Sequence, residues 1–431
     1  MEPDQRAIFT DCTGLADTPA DPASEAWLVC GRRSGKTLMS ALVAVYLAMM
    51  RDWKPYLAPG ERATILILAS DRRQARSAMR YVRAMLERIE LFAPLVERVG
   101  ADEIELTNEV NIEISAASFR SVRGYTVVCA ICDEIAFWRS DESANPDTEI
   151  LDAMRPAMAT VPNGLLLCIS SPYAQRGALW NTYRRWFGRE GGPLIWRAPT
   201  WRMNPTVPRH VIDEAYERDQ QRAAAEFGAE FRTDLESFVA REVVDACTEP
   251  GRRELPPVSG VQYVAFVDPS GGSADSMTLA IAHAEGERAV LDLVREAHPP
   301  FSPDAVVQDF AETLKAYHVT EVEGDRYAGL WPTERFDAHG IKYRPADQPK
   351  SALYLAFLPH LNSGTVELLD LPRLAGQLTS LERRTAHGGR DSVDHPPGAH
   401  DDVVNAAAGA LLRCAKPGTD YDLLALVGMT A

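Results

Sequence analysis

An α/β protein of two domains is the architecture the sequence predicts, and three observations predict it. The first half alternates short apolar runs with helical stretches, which reads as a mostly parallel sheet with helices on both faces. A nearly complete phosphate-binding loop, Gly31 to Thr37, stands between the first such run and the first such helix. From Val261 a second pattern begins, in which apolar strands end in single aspartates. At 431 residues the chain is long enough for two cores. The Pro- and Gly-containing stretch Pro250 to Gly260 sets the boundary, giving domains at 1–250 and 251–431.

In chain order, Ala26 to Val29 reads as a strand entering the loop Gly31-Arg32-Arg33-Ser34-Gly35-Lys36-Thr37, and Leu38 to Met49 as the helix leaving it. Cys30 stands where the G-x-x-x-x-G-K-[ST] pattern has its first glycine. In that context backbone N–H groups and the helix N-terminus face phosphates. Lys36 adds a point charge on the outer phosphates and Thr37 a hydroxyl for magnesium. Next come a strand at Ala63 to Leu68, a helix from Asp71 to Ile89, and a hairpin-like alternation from Ile104 to Ile114. Val127 to Cys132 and Leu165 to Ile169 are apolar enough for buried strands. Arg209 to Glu236, after Asn204-Pro205, reads as one charged helical segment.

The second domain opens with a strand, Tyr263 to Val267, ending in Asp268. Met277 to His283 and Ala289 to Glu296 form a hairpin around Gly286, Asp304 to Tyr317 a helix, and Glu321 to Glu323 a short strand ending in Gly324-Asp325. His400-Asp401-Asp402 opens an alanine-rich helix, Val403 to Leu412.

Composition narrows the function classes. A formal charge of −16 argues against a protein that coats nucleic acid statically, and leaves room for local, transient contact. The arginine clusters Arg32-Arg33, Arg72-Arg73, Arg184-Arg185 with Arg189, and Arg383-Arg384 are solvated faces that can serve as such patches. Apolar stretches fall short of a membrane span, and Met1-Glu2-Pro3-Asp4 is no signal peptide, so a cytoplasmic protein is expected. Seven scattered cysteines fit a reducing compartment. Cys129 and Cys132, spaced C-x-x-C inside an apolar run, read as buried strand residues rather than zinc ligands.

Hydrolysis of a bound triphosphate needs a carboxylate for the metal and a base for water. Asp133 and Glu134 close an apolar strand at the edge where parallel sheets bind ligands, so Asp133 suits magnesium and Glu134 the attacking water. Ser170-Ser171-Pro172 closes another strand with small hydroxyl residues, a place to sense the terminal phosphate, although Ser-Ser-Pro is also a common turn. Arg32, Arg33, Arg120 and Arg123 are candidates for stabilising phosphoryl-transfer charge.

In the second half, Asp268, Asp325 and Asp401/Asp402 sit at the ends of separate elements. Carboxylates gathered this way repel unless a cation joins them; two Mg²⁺ or Mn²⁺ ions would flank a scissile phosphate. Strand, hairpin, helix, strand and helix with acids at these places is the logic of a ribonuclease-H-like nuclease, against the plainer reading of acids as caps. Gly271-Gly272 and Gly324 are expected to let backbone approach a bulky ligand. Asp401 and Asp402 point about 100° apart on a helix, so one ligates and the other supports, with the choice left open. His400 is either a proton-transfer partner or a surface histidine.

The ordered set Gly31 to Thr37, Cys132-Asp133-Glu134, Ser170-Ser171-Pro172, Val267-Asp268-Pro269-Ser270-Gly271-Gly272, Glu323-Gly324-Asp325-Arg326 and His400-Asp401-Asp402-Val403-Val404-Asn405-Ala406 resembles the large terminase subunit of tailed bacteriophages and prophages. The resemblance implies an N-terminal RecA-like P-loop ATPase of the additional-strand class and a C-terminal ribonuclease-H-like nuclease. It implies ATP with Mg²⁺ at Gly31, Arg32, Arg33, Ser34, Gly35, Lys36, Thr37, Asp133, Ser170 and Ser171, with Glu134 as base and Arg32 or Arg33 in catalysis. It further implies Mg²⁺ or Mn²⁺ at Asp268, Asp325, Asp401 and Asp402. The implied partners are double-stranded DNA, the capsid portal protein and the small terminase subunit, with a pentameric ring assembled at the procapsid in the host cytoplasm. Departures are Cys30 and a short segment before the loop, where Gln5 and Phe9 are candidates for the adenine pocket. The alternatives are a helicase or repair ATPase with a fused nuclease, and a non-catalytic nucleotide-binding assembly protein. No second phosphate loop follows, and a structural binder needs no base beside the metal acid.

Overall fold

The computed structural model describes residues 2–117, 124–138, 146–273, 275–325, 331–385 and 391–414. The chain divides into two compact units, one closing at Leu235 and the other opening at Glu236.

The first unit is built on an eight-stranded sheet in the order Val96–Val99, Glu103–Leu106, Val110–Ala116, Ala63–Ala69, Thr126–Asp133, Leu165–Ser170, Glu25–Cys30 and Leu194–Ala198. From Val110–Ala116 onward all neighbours are parallel. The first two strands form an antiparallel edge. A parallel sheet is covered on both faces, which is why Ala63–Ala69 is buried at all seven positions. Cys129, Cys132 and Cys168 are free thiols inside these strands, as expected of strand residues. The strand before the loop does not adjoin the strand ending in Asp133: Leu165–Ser170 lies between them. That insertion is the additional-strand arrangement, and it brings Ser170 and Ser171 between the loop and the acids.

Helix Arg72–Arg88 is capped by Asp71, whose carboxylate accepts from the Gln74 N–H at 2.9 Å. It buries Ala75, Ala78, Met79, Val82 and Leu86 against Ala41, Ala44, Val45 and Ala48 of helix Lys36–Met50. Each large apolar side chain buried there contributes about 1.5–3 kcal/mol. Arg209 to Glu236 departs from the single helix expected. It holds two helices, Arg209–Arg218 and Gln220–Glu226, broken at Asp219. Asp219 leaves the helix with φ −157° and its side chain accepts from the Arg222 N–H, so a short polar side chain starts a new helix instead of continuing the old one.

The second unit carries a seven-stranded sheet ordered Thr248–Glu249, Val366–Leu369, Arg288–Ala297, Met277–Glu285, Tyr263–Asp268, Glu321–Gly324 and Lys342–Pro345. Its central three strands are an antiparallel meander, and Glu321–Gly324 and Lys342–Pro345 add in parallel beside Tyr263–Asp268. That is the ribonuclease-H-like order: third, second, first, fourth, fifth. Helix Asp402–Cys414 lies across it, with Val403, Val404, Ala407, Ala408 and Leu411 packed into one core with Phe266, Ala280, Ala282 and Leu291. Gly324 serves this sheet rather than a ligand. A Cβ there would stand 2.4 Å from the Tyr343 hydroxyl and 2.5 Å from the Val267 carbonyl oxygen. Among the described residues no helix is long and apolar enough to cross a membrane.

Candidate functional site

Backbone contacts from distant segments fix the phosphate loop. Gly31 N–H donates to the Ala198 carbonyl (3.2 Å) and Arg32 N–H to that of Glu226 (2.5 Å). The Thr200 hydroxyl and the Asn204 amide donate to the Arg32 and Arg33 carbonyls, each at 2.8 Å. A Cβ on residue 31 would lie 2.2 Å from the Thr200 hydroxyl and 2.7 Å from the Phe227 carbonyl oxygen, so only glycine fits. Cys30 is the last residue of its strand, fully buried beside Cys12 and Ala198, where extended backbone needs no glycine. The close approach the pattern assigns to position 30 is made at Gly31. Gly35 turns the chain into the helix at φ +86°.

Lys36 is buried, and its ammonium donates to the carbonyls of Cys30 (3.3 Å) and Gly31 (3.2 Å) and to the Ser171 hydroxyl (3.0 Å). It also stands 3.4 Å from a Glu134 carboxylate oxygen. Glu134 holds a left-handed backbone, φ +52°, directly after its strand. For a non-glycine residue this costs about 1–2 kcal/mol, and such residues gather at functional sites. Its other carboxylate oxygen accepts from the Ser170 hydroxyl and the Ser171 N–H, both at 3.1 Å. The serines therefore hold the candidate base directly. Ser170 also accepts from the Ala136 N–H at 3.3 Å, tying this contact to the segment after Glu134.

Asp133 is 2% exposed and its Oδ1 is buried without a hydrogen-bond partner. Burial, joined by the charge of Glu134 and opposed by Lys36, pushes its carboxyl up to about 7. The Ser34 hydroxyl is likewise buried and unpartnered. An orphaned carboxylate oxygen suits a hard divalent cation and an orphaned hydroxyl suits a phosphate oxygen, so the residues present fit a magnesium–nucleoside triphosphate. Gly31 to Thr37 would hold the phosphates, with Asp133 and Thr37 on the metal. When bound, the cation would offset charge on the transferring phosphoryl group. Lys36 would exchange Glu134 for a phosphate, leaving Glu134 held by the serines and free to orient water.

Arg32 and Arg33 are exposed, and Arg32 lies 3.4 Å from a Glu226 carboxylate oxygen. Arg120 and Arg123 lie outside the described residues. Gln5 accepts from the Glu2 N–H in a capping box, and Phe9 packs edge-on to Trp196 at 6.5 Å.

In the second unit Asp268, Asp325, Asp401 and Asp402 all line one cleft of about 250 Å³. They share that cleft without forming a ready-made metal site. Among the described residues no trio of His, Cys, Asp or Glu side chains is arranged to hold one metal ion. Protein groups meet the repulsion instead. Lys350 contacts Asp401 at 2.8 Å and Asp394 at 3.2 Å, and the Tyr354 hydroxyl donates to Asp401 at 2.8 Å. Buried Asn405 donates to Asp325 at 2.8 Å and also reaches Asp268. Against the burial that lowers it, Asp401 and then Asp394 push Lys350 up to about 12.

Burial drives Asp268 well above the usual carboxylate range, with Asp325, Asp402 and Asp401 adding to it against the Asn405 hydrogen bond. Asp325 is raised by burial too, and burial pushes Asp402 up to about 6. Asp401 and Asp402 now differ. The first has both oxygens engaged by Lys350, one of them also by Tyr354, while Asp402 Oδ2 is buried without a partner. His400 lies 3.6 Å from Asp275, on the cleft wall. The donor set, all oxygen and with one orphan, fits Mg²⁺ or Mn²⁺ in chemistry, though not in its present spacing.

Sequence reasoning missed Lys350, Tyr354 and Asp275, and gave Asn405 no role. Asn405 stands four residues after Asp401, whose carbonyl accepts its N–H at 2.8 Å at the start of helix Asp402–Cys414, so the spacing was a usable signal. Lys350 opens a helix 51 residues before Asp401, and no local pattern marks it.

The chain is similar in structure to the HK97 bacteriophage large terminase, with a TM-score of 0.41 at 17% identity over 95% of each chain. It is similar to the large terminase of a thermophilic bacteriophage, with a TM-score of 0.41 at 11% identity over 95% of this chain and 98% of that one. It is also similar to the magnesium-bound large terminase nuclease of thermophilic phage G20c, with a TM-score of 0.35 at 16% identity over 40% of this chain and 95% of that one. No curated protein matches it in sequence. The family described as "Uncharacterized protein MJ0330, N-terminal P-loop domain" matches residues 4–229, more than half of the chain, and to that family the chain belongs.

Proposed function

We propose that this protein is a DNA-packaging motor subunit that hydrolyses ATP at the Lys36–Glu134 site and cuts duplex DNA at the Asp268 cleft. One observation carries the reading: Glu134, directly after the strand next to the inserted one, is held by Ser170 at the end of that inserted strand and by Ser171 just after it. A base held this way would pass a change at the bound phosphates to the neighbouring strand, as a motor needs and a static nucleotide binder does not. The same chain carries four carboxylates in one cleft of a ribonuclease-H-like sheet, so an engine is joined to a phosphodiester-cleaving site.

Two divalent ions would occupy the cleft, with Asp402 offering its unpartnered oxygen and Lys350 yielding Asp401 to a cation. Cleavage would proceed by stabilising the attacking and leaving oxygens. Arg32 or Arg33 would steady charge on the transferred phosphoryl group. The resemblance to large terminase subunits extends the proposal to packaging of viral DNA, docking on a capsid portal, a small terminase subunit and a pentameric ring in the host cytoplasm. ATP hydrolysis measured with and without duplex DNA and portal tests this reading. Stimulation by either supports a motor, and indifference to both would leave a structural nucleotide binder.

A further inference from the structure

We propose that the outer face of helix Arg72–Arg88 is the surface on which the first unit grips the sugar–phosphate backbone of duplex DNA. Arg73, Arg76, Arg80 and Arg83 are all exposed and follow one another at three- and four-residue steps. At about 100° per residue they fall within roughly 80° of arc, opposite the buried Ala75, Ala78, Met79 and Val82. They form one wall of a groove of about 410 Å³, whose other wall is the turn at Val99, Gly100 and Ala101.

The groove carries unspent positive charge in a chain of net charge −16. Asp102 reaches Arg76 at 3.2 Å and Arg72 at 3.7 Å, and Glu87 reaches Arg83 at 2.6 Å. Among the described residues the Arg80 side chain has only the Ser77 hydroxyl as a hydrogen-bond partner, and that of Arg73 has no hydrogen-bond or ion-pair partner. The nearby acids Glu103 and Glu105 are themselves bound by Arg98. Every cation on the stripe is a guanidinium, whose planar fork matches phosphate oxygens.

From Arg73 to Arg83 the helix rises about 15 Å, the axial length of about four phosphates of one DNA strand. A single small anion does not need four cations spread over that length; a polyanion does. The stripe is also linked to the engine. Its helix packs on Lys36–Met50, the helix that begins with Lys36 and Thr37. It starts at the end of strand Ala63–Ala69, which neighbours the strand bearing Asp133. A small shift of the loop helix would therefore be passed to the arginines directly.

This inference rests on the proposed motor function, and the test separates the two. Binding of fluorescein-labelled duplex DNA to the full chain is titrated across salt for the wild type, for Arg73→Gln/Arg80→Gln, and for Arg184→Gln/Arg185→Gln as an equal change of charge elsewhere. ATP hydrolysis without DNA reports that each variant is folded. The first variant is expected to bind at least about tenfold more weakly. Its log K against log salt slope should be shallower by about 2, since each lost phosphate contact removes about 0.9. Basal hydrolysis should be unchanged and DNA stimulation lost. Equal binding by the wild type and the Arg73/Arg80 variant, or an equal loss in the Arg184/Arg185 control, overturns the surface and leaves the motor reading standing. A wild type that binds polyglutamate but not DNA overturns both in favour of an acidic protein partner. A wild type that binds neither and is not stimulated overturns both as well.

Discussion

In the first unit a buried lysine, Lys36, stands 3.4 Å from Glu134; in the second a partly buried lysine, Lys350, stands 2.8 Å from Asp401. Both ammoniums hold a carboxylate that the proposed chemistry needs elsewhere. The surroundings differ. Around Lys36 two of the four partners are backbone carbonyls, those of Cys30 and Gly31, beside the Ser171 hydroxyl and the Glu134 carboxylate, and the loop itself is pinned by backbone contacts, so the cradle is largely set by the fold and the lysine is the group that has to move. Around Lys350 the partners are side chains, Asp394, Asp401 and through it Tyr354. The cleft can therefore take metal only by rearranging several rotamers. A loop pinned by backbone contacts needs little rearrangement to bind, and a cleft held by side-chain pairs waits for its cation.

The largest expected break in this comparison is Glu134→Gln, which keeps the amide within reach of Ser170 and Ser171 but removes the base. ATP turnover should fall about 10²- to 10⁴-fold while nucleotide binding persists. Turnover at the wild-type rate would remove Glu134 from the chemistry. Asp268→Asn should lower metal-dependent DNA cleavage at least about a hundredfold, because a ligand to the cation is lost. ATP hydrolysis should stay as it was, and undiminished cleavage would dissolve the carboxylate cluster.

Lys350→Met sharpens the contrast. It leaves the buried Asp401 carboxylate with Tyr354 and, 4.0 Å away, the His395 ring, and should cost about 3 kcal/mol in chemical unfolding without metal. Millimolar Mg²⁺ should restore more stability to this variant than to the wild type, because the cation supplies the missing charge. Equal effects of Mg²⁺ on both proteins would show that Lys350 and metal do not share Asp401.

The smallest effect is a pH dependence at Asp133. Its folded value, about 7, lies above the ordinary 3.8, so the fold disfavours the charged form. Stability from this group is complete below pH 4 and is lost as pH rises through 7. Asp133→Asn should therefore be more stable than wild type at pH 8 without metal, by about 2 kcal/mol once solvent and relaxation discount the full shift. The two should be alike at pH 4. Urea unfolding at both values decides it, and a variant weaker at pH 8 would contradict the burial argument.

Much of this was legible in the sequence. The helix beginning near Asp71 was legible as a run rich in alanine and arginine, and the apolar stretch before Asp133 could only be a strand covered on both faces. The loop was legible because its chemistry depends on consecutive residues. What stayed hidden came from contacts across the chain. Lys350 meets Asp401 only after the sheet and its helices have packed, and the break at Asp219 depends on one side chain capping forward in a run otherwise suited to a continuous helix. Gly324 was misread because the same missing Cβ serves a ligand or a neighbouring strand, and only the position of Val267 and Tyr343 separates the two.

The most direct test of the central claim is uptake of labelled duplex DNA into empty portal-bearing capsids, scored by protection from added nuclease. The wild type with ATP should protect DNA, and Glu134→Gln or the wild type without ATP should protect none. Protection that is independent of ATP, or equal for Glu134→Gln, would contradict an engine built on the Lys36–Glu134 site.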